Sequence, residues 1–194
     1  MTFEILPIGD GHTELSAEDI EGLIPSYIST RGELFEAEQR NIANALGRVN
    51  PSINRLLDDG YLRSMHRSMF NEVWKWAGSY RVRETNIGID PIEISTAIRN
   101  LVEDARTWIE VGNEADDVCV RFHHRLVWIH AFPNGNGRHG RIYADFLAKS
   151  LGSPSFTWGF HLGLDTENLR AQYLTALRLA DRGDLDDLLR FARS

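Results

Sequence analysis

A mostly α-helical domain carrying one small β-hairpin flap is the fold class that the sequence predicts, and three observations predict it. Apolar residues recur at helical spacing over most of the chain, helix-start signals precede those runs, and the period changes in one place only. The 194 residues contain no repeat, no low-complexity segment and no Pro/Ser-rich linker, so one domain is expected.

The elements run in order along the chain. Ser16 with Asp19 opens a short helix that Pro25 interrupts. Thr30 with Glu33 opens a second, carrying Leu34, Ala37, Ile42 and Leu46 to about Val49. Asn50-Pro51 starts a short third by placing proline at the first helical position. From Tyr61 to Trp76, Leu62, Met65, Met69, Phe70, Val73 and Trp76 keep helical spacing, and Gly78 can cap the end. Between Tyr80 and Asp90 the stretch YRVRETNIGID alternates and carries Gly88, which predicts the hairpin or extended flap. Asp90-Pro91-Ile92-Glu93 is a full helix start, followed by Ile94, Ile98, Leu101, Ala105 and Trp108 facing inward. A helix from about Glu114 to Ile129 shows Val118, Phe122, Leu126 and Ile129 on one face. After a loop, Ile142, Phe146 and Leu147 continue a helix to Gly152, and two more run over about 165–181 and 184–192.

Composition bounds the function. With 42% hydrophobic and 25% charged residues, the chain has the balance of a soluble domain that can bury its own core. The single cysteine, Cys119, excludes an internal disulfide framework and suits a reducing compartment. No apolar run approaches the roughly 18 residues of a spanning helix. The opening MTFEILPIGDGHTEL has acids where a signal peptide would be basic, so a cytoplasmic location and no membrane partner are expected. A formal net charge of -7 argues against nucleic acid as a partner. Any phosphate must therefore be held by a local concentration of arginine.

HAFPNGNGRHGR, from His130 to Arg141, is such a place. It ends where a helix begins, and a helix N-terminus offers unsatisfied N–H donors with a partial positive charge. Gly135 and Gly137 clear side chains from those donors, and Asn136 can add an amide N–H. Arg138 and Arg141 are three apart at the helix start, so two guanidinium forks can hold two phosphate groups. His130 precedes the cradle, where a general base belongs. A Gly/Asn-rich turn between helices needs no ligand; it is the two arginines and the histidine that favour one.

His130, Phe132, Gly135, Asn136, Gly137, Arg138 and Arg141 match the signature of the Fic (Fido) family of AMP-transferring enzymes, which the chain resembles over about residues 60–192. VWKWAGSYR (73–81) resembles the family's approach to its flap, and YLTALRLADRGDLDDLL (173–189) its closing helices. STRGELFEAEQRNI is similar to the mobile mystery protein B subgroup. The resemblance implies a single Fic domain over 1–194, with N-terminal helices over 1–58 and the Fic core and closing helices over 59–194. It implies ATP as substrate, His130 as the base that deprotonates a Ser, Thr or Tyr hydroxyl of a protein target, and Gly135, Asn136, Gly137, Arg138 and Arg141 on the phosphates. The flap residues Ile87, Gly88 and Ile89 would dock the target strand by backbone pairing, and self-modification would be possible.

Two departures stand out. The family usually has an acid before GNGR that holds Mg²⁺; here it is Asn134, whose amide oxygen ligates without charge. Many members also carry an inhibitory helix reading Ser/Thr, three residues, Glu, then Gly or Asn. Ser29 to Glu33 fits that pattern, although Leu34 comes next. The resemblance implies that Glu33 would pair with Arg141 and deny the γ-phosphate its partner; a capping box of Thr30 and Glu33 is the simpler alternative. His123, His124, His130 and His139 do not make a metal centre, because 123 and 130 lie two turns apart, roughly 10 Å. The expected function is AMP transfer from ATP to a protein. A relative that transfers another group or removes AMP, and an idle nucleotide-binding regulator, are the alternatives.

Overall fold

The computed structural model describes residues 15–47 and 49–194. Most of the acid-bearing N-terminal stretch read against a signal peptide lies outside the described residues. Nine α-helices run through the described part: α1 (Ala17–Glu21), α2 (Arg31–Leu46), α3 (Ile53–Leu56), α4 (Asp59–Phe70), α5 (Ile94–Glu110), α6 (Ala115–Ile129), α7 (Asn136–Ser150), α8 (Thr166–Ala180) and α9 (Asp186–Arg193). The mostly α class read from the sequence is the class observed.

Local chemistry explains the starts. Ser16 and Asp19 form a reciprocal capping box on α1, and Thr30 and Glu33 form another on α2, each satisfying two backbone donors. Asp90 accepts from the Ile92 N–H, and Pro91 opens a 3₁₀ turn that leads into α5. Two expectations need correction. Pro51 is not the first helical residue: Ser52 is the N-cap of α3. α4 ends at Phe70 rather than Trp76, because the backbone beyond it pairs with the chain between α1 and α2. Ile24 N–H donates to Val73 O (2.9 Å), Lys75 N–H donates to Gly22 O (2.8 Å), and Leu23 and Trp74 form an antiparallel bridge.

α6 and α7 are joined by residues 130–135 and lie along each other at the centre of the fold. Their seam is filled by Phe122 and Tyr143, stacked at 5.4 Å, with the Tyr143 hydroxyl donating to Leu56 O at 2.6 Å. Each burial of that size stabilises by about 1.5–3 kcal/mol. α5 flanks α6, α2 packs over α4, and α8 with α9 close the far side. Among the described residues no helix is long and apolar enough to cross a membrane.

The flap is a further correction to the expected architecture. Residues 80–90 contain no strand ladder; they form an extended loop with bends. Its polar groups turn to the end of α6 instead of to a second strand: Arg81 N–H donates to Ala131 O (3.0 Å) and Ile89 N–H to Ile129 O (3.4 Å).

Candidate active site

The connection from α6 to α7 builds the site. α6 stops because its C-cap, His130, adopts the left-handed conformation at φ 54° and ψ 57°. A non-glycine residue there costs of order 1–3 kcal/mol, so the surroundings must hold it. His130 is 5% exposed. Burial pushes its ring down to about 4, the Arg81 charge adds to that, and a hydrogen bond with Val127's backbone opposes it. The imidazole is therefore neutral near pH 7.

The loop beyond it is rigid for identifiable reasons. Asn136 clamps it from within, its Oδ1 accepting from Phe132 N–H (2.9 Å) and its Nδ2 donating to Phe132 O (2.7 Å). The Asn136 side chain thus closes the loop, which leaves its backbone N–H at the helix start. The Phe132 ring stacks on His66 with centroids 3.7 Å apart. Gly78 N–H donates to His66 Nδ1 (3.1 Å), so Nε2 carries the proton and donates to Asn134 O (3.0 Å). Gly135 has φ +80°, and a Cβ there would strike the Phe70 ring at 2.5 Å. Gly137 differs. A Cβ on it would meet nothing nearer than Arg141 Nη1 at 3.8 Å, so the space over the first turn of α7 is left open by the protein. The amides of Asn136, Gly137 and Arg138 are those for which an α-helix provides no internal acceptor.

The two arginines diverge from that turn. Arg141 lies over the Tyr173 ring of α8 at 5.3 Å. Arg138 Nη1 donates to Glu38 Oε2 (2.8 Å), and Glu38 Oε1 accepts from Trp74 Nε1 (2.7 Å). The Arg138 side chain is 20% exposed and that of Glu38 5%.

These groups border one cleft of about 1330 Å³, large enough for a nucleotide with a segment of a partner. Of the residues singled out from sequence, His130, Asn134, Gly135, Asn136, Gly137, Arg138, Arg141, Ile87, Gly88 and Ser29 line it. Ile89 lies behind, bonded to Ile129 and Arg81. Glu33 does not face the cleft, and this is the main correction. Its Oε2 accepts from Ser29 N–H (2.8 Å), Ser29 Oγ–H (3.0 Å) and Thr30 N–H (2.9 Å). Those hydrogen bonds hold its carboxyl below the usual range, those from the Ser29 and Thr30 backbones first. Oε2 is engaged in its own helix cap, and Arg141 lies over the Tyr173 ring.

Sequence reasoning missed Glu38, Trp74, His66 and Arg81. For Glu38 a signal existed: it lies four residues after Leu34 and four before Ile42, on the apolar face of α2. A carboxylate on a buried face needs a cation.

Asn134 Oδ1 accepts from Gly135 N–H at 2.7 Å and Glu38 is bound to Arg138; among the described residues no group of three or more His, Cys, Asp or Glu side chains could hold an ion by itself.

Comparison with known proteins accords with this arrangement. Residues 56–148 match the Fic/DOC family. A Fido domain-containing protein of Dictyostelium discoideum is 42% identical over 59 residues, which is 30% of this chain and 36% of that protein. The chain thus spans about a third of the length of that relative. Among solved structures, BepC of Bartonella tribocorum, a VirB-translocated effector with bound AMPPNP, gives a TM-score of 0.69 at 15% identity, covering 92% of this chain and 97% of that one. The N-terminal Fic domain of a Bep effector of Bartonella quintana, with bound ADP, gives 0.65 at 17% identity over 87% and 86%. A fragment of Fic-1 from C. elegans gives 0.64 at 20% identity over 89% of this chain and 50% of the other. At such identities the likeness speaks for the fold.

Proposed function

The chain belongs to the Fic/Fido family, and from that premise we propose that it transfers AMP from ATP to a hydroxyl group of a protein. Fold and family support a Fic-type transferase in general terms. The observation that carries the specific reading is the first turn of α7. Its free-end amides and an open Gly137 lie at one cleft with Arg138, Arg141 and the neutral, buried His130. Relatives solved with AMPPNP or ADP support a nucleotide there.

In this reading the target's hydroxyl oxygen attacks the α-phosphorus while His130 accepts its proton. The bond from the α-phosphorus to the bridging oxygen breaks, and pyrophosphate leaves with the electron pair. AMP remains on the target as a phosphoester. The α7 amides and the arginines stabilise charge on the phosphate oxygens as it develops. The low proton affinity of His130 suits the resting protein: the ring needs no prior deprotonation, and an anionic nucleotide beside it raises that affinity toward working pH.

Inhibition is part of the proposal, assigned to Glu38 rather than Glu33. Glu38 occupies Arg138 in the resting state, so ATP must displace a carboxylate to gain that guanidinium. The neutral Asn134 favours a second reading, an idle nucleotide-binding regulator. ATP labelled at the α-phosphate, incubated with the protein and a cell lysate, separates the two. Protein-bound α-label, absent with γ-labelled ATP and lost in His130→Ala by about 10²–10⁴-fold, is expected. Nucleotide binding with no transfer would overturn the transferase reading.

A further inference from the structure

Arg81 is a buried cation whose hydrogen bonds all go to main chain. It is 5% exposed. Its Nε donates to His130 O (2.7 Å), Nη1 to Arg83 O (2.9 Å), and Nη2 to Ile89 O and, at 3.5 Å, to Ile129 O. Its own backbone N–H donates to Ala131 O (3.0 Å). One residue thus engages the three consecutive carbonyls at which α6 ends, and its fork also reaches two carbonyls of the flap. Asp90 and Glu84 act on it only through space.

A surface arginine at a helix C-terminus interacts with the helix dipole and solvent. This one is desolvated without a carboxylate, which is expensive unless a defined geometry is being held. That geometry is the left-handed turn at His130 with the flap against it. Gly88 has φ +106°, and a Cβ there would lie 2.6 Å from His130 Cβ and 2.7 Å from Arg81 Nη2. The flap, the guanidinium and the histidine backbone are in mutual contact.

We propose that Arg81 is a positioning residue: its guanidinium fixes His130 in its strained turn and ties the flap to that turn, so that the base and the target-facing segment are set by one side chain. The phosphate cradle on α7 is independent of it. Lysine cannot replace it, because a single ammonium does not present a planar fork to carbonyls of two segments.

The inference rests on His130 being the base, and the test separates the two. Arg81→Met, Arg81→Lys and Gly88→Ala are compared with wild type for ATP Kd, NMR titration of the His130 ring, hydrogen exchange at Ile89, and transfer from α-labelled ATP. ATP Kd should be unchanged in all three variants. In the charge-preserving Arg81→Lys and Gly88→Ala variants the His130 ring should titrate above its wild-type midpoint, and the Ile89 amide, bonded to Ile129 O, should exchange faster. The kcat for transfer should fall by about 100-fold, the scale of a misplacement of about 1 Å. Gly88→Ala reaches the same contact from the exposed flap, so it decides the matter if the Arg81 variants do not fold. Unchanged His130 titration and flap exchange in a folded variant would overturn the proposal, as would loss of ATP binding in parallel with kcat. The first three measurements need no turnover, so a wild type that transfers nothing would sink the transferase reading while these still judge Arg81.

Discussion

Glu38→Gln is the perturbation that bears most directly on control of the cleft. The carboxylate is held by Arg138 at 2.8 Å and Trp74 at 2.7 Å, and its side chain is 5% exposed. Glutamine keeps the shape and an oxygen for Trp74 Nε1 but removes the charge. A hydrogen bond between charged partners contributes about 1.5–3 kcal/mol. If ATP must displace that bond, its removal should tighten ATP binding by roughly 10- to 150-fold. Transfer from α-labelled ATP should rise in step at subsaturating nucleotide. The same change destabilises the unliganded protein, since Arg138 at 20% exposure loses its partner. A loss of about 1–3 kcal/mol corresponds to a Tm lower by roughly 2–12 °C at this chain length. Saturating ATP should restore much of it. Calorimetric titration, AMP incorporation and thermal melts on wild type, Glu38→Gln and Glu38→Gln with Arg138→Ala make the assay. The double variant should lose the gain in affinity. A Glu38→Gln protein that melts lower yet binds ATP no tighter would refute the lock and leave the pair as structure only.

Glu33→Gly should lower the melting temperature by removing the α2 capping box, with no rise in AMP incorporation; a rise would return the inhibitory role to Glu33. Asn134→Asp places a charged oxygen at the loop and should make transfer more dependent on Mg²⁺; coincident metal titrations of the two proteins would show that position 134 is no ligand. Burial lowers His123 and His139 to about 3 and His130 to about 4, all below the ordinary 6.5, so the unfolded chain binds more protons than the folded one as pH falls through 6.5. Stability is full above that value and should decline by about 4 kcal/mol between pH 7.5 and 5.5, with the buried His66 shifted in the same direction; equal urea midpoints at the two pH values would contradict this.

Most helices were legible because their determinants are local. Ser16, Thr30 and Asp90 each cap the turn that begins beside them, and the apolar periods of α5 and α6 need no knowledge of neighbours. Two of the three corrections to the fold, the end of α4 and the flap, have one physical origin. Val73 and Trp76 fit a helix by spacing, yet the segment 73–75 bonds to the chain at 22–24. YRVRETNIGID alternates like a hairpin, yet its Arg81 and Ile89 backbone donors bond to the chain at the end of α6. In both cases a partner distant in sequence offered the backbone better acceptors than the local element, and pattern reading is blind to such partners.

The site divides along the same line. The proposed phosphate cradle is a single continuous stretch, so its parts could be named from His130 to Arg141 without a fold. The devices that act on it are not continuous: Glu38 comes from 100 residues before Arg138, and Arg81 comes from 49 before His130. Only a local contradiction could betray such a device in the sequence, and Glu38 shows one, as a charge on the apolar side of α2 between Leu34 and Ile42. Glu33 showed no contradiction, since Ser29 and Thr30 satisfy its carboxylate within one turn. A carboxylate already satisfied by its own helix has little free energy left with which to hold an arginine elsewhere. A buried carboxylate on an apolar face can persist only by finding one. By that reasoning alone, Glu38 was the better candidate for control of the cleft, and the bond to Arg138 is where the fold supplies its cation.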